Sequence, residues 1–434
     1  MAISKMPLFL FSTLTISCVV LFAMPALTVA CVFLELERRF GMHFFDIASG
    51  GNPMLWQQLF WFFGHPWVYI IFLPATGMVS LIIPVFSRRP IVGYTYVAIS
   101  TVLTGLVAFG VWLHHMFTVG LSQLAMSFFS AGSMTISLFT TVTVFAWVAT
   151  VWRGRPVPTT AMYYALGSVA LLVIGGLSGV VTGIISVDWQ MHNSYYVVGH
   201  IHYVLIGANV FPVFAGFYYW LPKMTGRMMN ERVGKLSFWV MFIGFNLGFF
   251  PMHIVGLMGM PRRIYTYGTG LGLEPMNEVM TGGAFLLGVG ILISIVNPVN
   301  SLRSGEMAGG NPWNSDGLEW ATASPPPDYE VLHIPTVTTR HPLWDEYDEQ
   351  ADPNNHRLLS NARLTITSSM LDARPISAAT IPSETLVPLF LALALFVVFL
   401  VLVFQLMWFA LAGVMACFLL GCVWLWPRPI KGEL

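Results

Sequence analysis

Long apolar runs broken by short polar stretches dominate this chain. A bilayer core is crossed by about 20 apolar residues in a helix. Runs of that order occur near 7–35, 54–86, 92–118, 125–152, 161–186, 195–222, 233–259 and 276–300, then 386–405 and 407–427. The pattern predicts an all-α fold, a polytopic transmembrane helical bundle of about ten helices with short loops. The first run follows Lys5 and imitates a secretory signal ending near Ala30. It is long for such a segment and more spans follow, so it reads as a membrane helix. Residues 301–385 interrupt the pattern: they are polar, contain Pro325-Pro326-Pro327 and are acidic over Asp345–Asp352. The predicted organisation is a core over 1–300, an extramembrane polar linker over 301–385, and a closing transmembrane hairpin over 386–434.

Composition sharpens this reading. The 434 residues are 56% hydrophobic and 9% charged, with 20 basic and 20 acidic groups. Soluble domains carry roughly 25% charged residues, so the partner implied is the lipid bilayer. The balanced charge gives no sign of a nucleic-acid partner. Cys18, Cys31, Cys417 and Cys422 lie in or beside apolar spans at spacings that match no zinc or disulfide framework. Any thiolate-bridged copper site therefore belongs to another subunit. Arg88-Arg89, Arg153 with Arg155, and Lys223 with Arg227, Arg232 and Lys235 fall in alternate loops, which marks that face and both chain ends as cytoplasmic. Arg38-Arg39 and Arg262-Arg263 fall on the opposite face, where bound anions would explain the second pair.

The candidate chemistry is histidine. Imidazoles are costly in hydrocarbon unless they bind metal, relay protons or face a wet cavity. His65, His114, His115, His200 and His202 lie in three predicted spans, with His192 in an adjoining outer loop. The topology places all six in the outer third of the membrane. His114 and His115 are adjacent and can reach one metal only near a helix end, with His65 as third ligand; three imidazoles with an open position suit copper. His200 and His202 project to opposite sides of one helix and can each hold a separate metal, as axial ligands of two haems. Tyr69 lies one turn beyond His65, where a phenol can supply a proton and an electron. Arg262 and Arg263 suit the carboxylates of a haem edge.

These stretches resemble subunit I of the haem-copper terminal oxidases, cytochrome oxidase in particular. The resemblance rests on Leu59-Phe60-Trp61-Phe62-Phe63-Gly64-His65-Pro66, Val111-Trp112-Leu113-His114-His115-Met116-Phe117, the Tyr195–Val204 stretch around Gly199-His200-Ile201-His202, Gly259-Met260-Pro261-Arg262-Arg263 and Ser324-Pro325-Pro326-Pro327. The tail from 336 looks like bacterial members in which subunit I runs into helices related to subunit III. The resemblance implies that His65, His114 and His115 hold copper B and that Tyr69 is cross-linked to His65. His200 would be the axial ligand of the high-spin haem and His202 that of the low-spin haem. Arg262 and Arg263 would hold propionates with Trp61 nearby, and His192 would approach magnesium or a propionate. It further implies two haems of a type, a subunit II with a two-copper site, subunit III-like helices, and cytochrome c or quinol as donor. The setting implied is multi-pass in a bacterial inner membrane. The reaction implied is reduction of O₂ to water coupled to proton translocation.

Departures accompany the match. The family glutamate after His-Pro is Trp67, the lysine of a second proton path is Thr143, the aspartate after His192 is Asn193, and the phenylalanine between the haem histidines is Ile201. Residue 1 aligns with the fifth family helix. Helices one to four are then expected on a separate chain, or lost through a shortened reading frame, or absent because the chain is a non-catalytic paralogue with an assembly role. A nitric-oxide reductase of the same superfamily would want a carboxylate near its metal, and a histidine-relay transporter would carry no haem.

Overall fold

A computed structural model describes residues 2–327, 337–345, 364–370, 374–380 and 385–426. Its described residues divide into two compact units, one comprising residues up to 327 with 337–345, the other the remainder. The first unit opens with α1 (Leu8–Phe40), α2 (Pro53–Ser87), α3 (Tyr94–Val107), α4 (Gln123–Arg153) and α5 (Thr160–Gly183). A short α6 (Ile185–Met191) leads into α7 (Tyr195–His202). That helix continues through a wide-turn π segment (Tyr203–Val210) into α8 (Phe211–Thr225). Then come α9 (Glu231–Leu257), α10 (Glu274–Ser304) and one turn, α11 (Pro342–Asp345). The second unit holds an antiparallel pair, β1 (Leu364–Ser368) with β2 (Pro375–Thr380), and the helices α12 (Val387–Val403) and α13 (Met407–Leu425). Among the described residues nine helical segments are long and apolar enough to cross a membrane, and α12 is a shorter apolar helix. The chain is therefore an all-α polytopic bundle with one small β-hairpin that apolar patterning did not foresee.

Packing in the first unit is set by large side chains in the middle and glycines where backbones meet. Phe72, Ile82, Phe86, Trp147, Tyr164, Phe211, Tyr219 and Phe245 form one buried cluster. Between α9 and α10 the backbones touch: a Cβ added at Gly283 would sit 2.3 Å from the Gly248 nitrogen. Water drives no helix association inside a bilayer, so such close approach, with its dispersion contacts, holds these helices together.

The stretch expected to be a free linker from 301 is partly structural. Residues 301–304 finish α10, and 305–327 belong to the first unit. Trp313 and Trp320 are buried in the main core, and Trp313 Nε1 donates to the Tyr219 carbonyl at 2.8 Å. The Lys223 ammonium donates to the carbonyls of Gly310, Thr322 and Ala323. Polar composition hid these anchors because they act through main-chain carbonyls. The acidic run beyond Asp345 lies outside the described residues.

Candidate metal and haem centre

Three imidazoles meet because two different backbones deliver them. α2 starts under an Asn52 cap, whose side chain accepts from the Met54 N–H at 2.9 Å, and carries His65 and Tyr69 on one face. α3 does not run on to the histidines. It stops at Val107 and gives way to two tight turns, Ala108–Gly110 and Trp112–Met116. Three residues per turn sets neighbouring Cα–Cβ bonds about 120° apart, so it is the side chains that turn inward: Ser133 holds the His114 ring and Trp61 stacks on that of His115. Ring nitrogens of His65, His114 and His115 all lie within 4.8 Å of one another, with His65 Nδ1 3.2 Å from His115 Nε2. Nitrogens bound to one ion at about 2.0–2.1 Å stand about 3.3–3.6 Å apart. The donor set fits a metal ion.

The surroundings settle which atoms face it. Ser133 Oγ donates to the Phe129 carbonyl at 2.7 Å, so it accepts from His114 Nδ1 at 2.8 Å. That leaves the His114 Nε2 lone pair open, the tautomer control expected around a bound metal. His65 Nε2 is buried without a hydrogen-bond partner. Such an orphan is costly in a finished core, and the Tyr69 ring lies beside it, 5.0 Å between centroids. Trp61 stacks flat on His115, at 4.0 Å and 9°. Being four residues before His65, it lies on the same face of α2 as that ring.

His200 and His202 diverge as their spacing requires. His200 Nδ1 donates to the Gly175 carbonyl at 3.0 Å and lies 3.1 Å from Ser178 Oγ, both on α5, so Nε2 is the remaining donor. A Cβ at Gly179 would fall 2.7 Å from His200 Cε1, so glycine makes room for this ring. His202 Nδ1 donates to the Val198 carbonyl at 2.7 Å, and the ring stacks on Phe249 of α9 at 4.4 Å. The two imidazoles thus face α5 and α9 respectively, each with Nε2 available. α5 joins His200 to the three imidazoles, since Gly179 lies against His200 and Gly183, one turn on, lies against Ser133, the partner of His114.

His192 has a partner that sequence reading overlooked. Its Nδ1 lies 2.7 Å from Asp188 Oδ2, and Asp188 is buried. The Asp-x-x-x-His spacing on α6 was the available signal, masked by attention to Asn193. Asn193 itself contributes its carbonyl, which accepts from the Arg262 N–H at 2.8 Å. Ser194 pairs with Pro261, and Tyr195 N–H donates to the Met260 carbonyl. The arginine loop is therefore tied to the start of the helix that carries His200 and His202. Arg263 adopts a left-handed backbone (φ 63). Burial, with Arg263 alongside, lowers the Arg262 pKa, as expected for cations gathered for an anion.

Two departures also find their places. Trp67 points away from the centre, 43% exposed, and touches Phe63. Thr143 is buried and joins Thr76, Thr101, Thr104 and Thr140 around a narrow cleft also lined by Phe72, Leu73 and Trp147.

The comparisons decide the family. The family model described as "Cytochrome C and Quinol oxidase polypeptide I" matches residues 1–286. The chain belongs to this family. It is 42% identical over 399 residues to cytochrome c oxidase subunit 1 of Bacillus subtilis (strain 168), covering 92% of this chain and 61% of that protein. It is 43% identical over 355 residues to quinol oxidase subunit 1 of Bacillus spizizenii, covering 81% and 55% respectively. The chain thus spans about three-fifths of the length of the curated relatives it matches. Among solved structures it resembles a haem-copper terminal oxidase dimer determined by cryo-electron microscopy, with a TM-score of 0.62 and 21% identity, over 70% of this chain and 58% of that one. That likeness concerns the fold.

Proposed function

We propose that this chain is the part of subunit I that carries the oxygen-reducing centre of a respiratory terminal oxidase. It would take electrons from cytochrome c, reduce O₂ to water and couple this to proton translocation in a bacterial inner membrane. The observation that carries the reading is the convergence of His65, His114 and His115 beside Tyr69, with His200 of a third helix joined to them through α5. Two haems, taken as a type, and copper B supply the electron chemistry when bound.

The residues then have distinct tasks. His65 through Nδ1, with His114 and His115 through Nε2, hold copper; Ser133 orients His114. His200 takes the high-spin haem and His202 the low-spin haem, each through Nε2, because each Nδ1 is already committed to a carbonyl. The Tyr69 ring lies 5.0 Å from that of His65, where the cross-link implied by family resemblance would join them, and would supply a proton and an electron. Arg262 and Arg263 neutralise propionates. Asp188 steadies His192 as a ligand for magnesium or as a propionate contact. With Trp67 turned outward, Thr143 and its four neighbouring threonines are the hydroxyls that line the narrow cleft between α2, α3 and α4.

A complex with a two-copper subunit II and subunit III-like helices follows from the same reading. So does a division of labour in which 1–300 is catalytic and 386–434 is an accessory hairpin. The deciding experiment is reduced-minus-oxidised and carbon-monoxide difference spectroscopy of the purified complex, with copper and iron analysis. A CO-reactive haem with stoichiometric copper is expected; haem-free protein would overturn the proposal. The match to quinol oxidase subunit 1 supports a second reading, in which quinol is the donor. Oxygen uptake driven by reduced cytochrome c, set against uptake driven by quinol, separates the two.

A further inference from the structure

The arginine-rich end of the bundle holds an open groove of about 300 Å³ lined by Arg88, Asn314, Leu343 and Trp344. Arg88 ends α2 in a left-handed conformation (φ 53), and one of its guanidinium nitrogens donates to the Trp313 carbonyl at 2.6 Å. A guanidinium has five N–H donors, so four more are available for an oxygen-rich ligand. Further cations gather at the same rim. Arg89 donates to the Arg153 carbonyl, and the Arg155 N–H donates to the Ser87 carbonyl at 2.8 Å. Arg88, Arg89, Arg153 and Arg155 are all exposed. Among the described residues none of the four forms an ion pair with a carboxylate; Asp316, on the same loop as Asn314, is paired with His341.

The other wall is apolar. Trp344 donates its Nε1–H to the Asn314 carbonyl, which holds the ring in place, and it stacks against His341. Leu343 packs against the main core. Trp152, next to Arg153, is 87% exposed. Tryptophans beside arginines where spans end mark the level of lipid headgroups. Basic pockets at this level attract anionic lipids.

We propose that this groove binds the phosphodiester headgroup of an anionic glycerophospholipid. Arg88 meets the phosphate, while Trp344 and Leu343 cover the glycerol and first acyl carbons. The apolar wall favours a lipid over free phosphate, which has nothing to place against an indole. The inference does not rest on the oxidase reading, since it needs no haem or copper.

The test is native mass spectrometry of the delipidated complex titrated separately with phosphatidylglycerol, phosphatidylcholine and inorganic phosphate. One phosphatidylglycerol should be retained about fivefold more tightly than phosphatidylcholine. That preference should vanish in Arg88→Gln and persist in Arg303→Gln, a cation elsewhere on the chain. Because Arg88 also caps α2, Trp344→Ala serves as the second variant and should weaken retention of the same lipid. Equal retention of both lipids, or a preference that survives both variants, overturns the proposal. Displacement of the lipid by inorganic phosphate at comparable concentration would show a free-anion site and overturn it too.

Discussion

His200 and Tyr69 make separable demands at the scale of single residues. His200→Ala should abolish the carbon-monoxide-reactive haem signal while leaving copper content unchanged, since the proposed copper ligands lie on α2 and the turns after α3; a persisting signal refutes the proposed haem-ligand role. Tyr69→Phe removes one hydroxyl at a buried ring and should leave both metals bound. Oxygen turnover should fall by about 10²–10⁴-fold, the usual scale for a lost proton donor, and unchanged turnover would refute its role. Ser133→Ala leaves His114 Nδ1 without its acceptor, and loss of such an outer partner lowers metal affinity about 10–100-fold. Copper retention under chelator titration measures this. The histidines and Tyr69 were legible in sequence because polar rings are rare in apolar runs. Ser133, Ser178 and Asp188 were not: serines on small-residue helices are common, and only a neighbouring helix turns one into an imidazole acceptor.

Helices and turns decide whether those rings can meet. Adjacent histidines diverge by about 100° on an α-helix and about 120° on the tight turn that carries His114 and His115, so their rings meet through the packing around them rather than through helical periodicity. α5 serves α7 through Gly175, Ser178 and Gly179. Gly179→Val would place side-chain atoms in the volume of the His200 ring. It should give protein with copper but without the CO-reactive haem, read from spectra and metal analysis. The span boundaries were close to their sequence estimates because bilayer thickness sets them. The end of α3 was missed because Ala108–Met116 remains apolar throughout, and hydropathy does not distinguish an α-helix from a tighter turn.

Across the whole molecule, the folded-back segment 305–327 links the arginine-rich face to the core. Glu319 lies in it, and burial raises its carboxyl pKa above 4.5, with Asp316 adding to the effect. The folded state therefore holds this proton more tightly than the unfolded chain. Stability from Glu319 is complete below about pH 4.5 and is lost as pH rises through the folded pKa. Glu319→Gln should match the parent protein in thermal unfolding near pH 4.5 and exceed it at pH 8; the reverse order would show the carboxylate to be held charged. By itself the sequence determined a helical membrane bundle and the divergence of His200 from His202, because hydrocarbon thickness and helical periodicity act on residues near one another in the chain. Only the tertiary structure decided that His65 meets His114 and His115, that Trp61 stacks on His115, and that the polar stretch after α10 packs into the core. Those outcomes depend on distances between segments far apart in sequence, which close packing sets and periodicity does not encode.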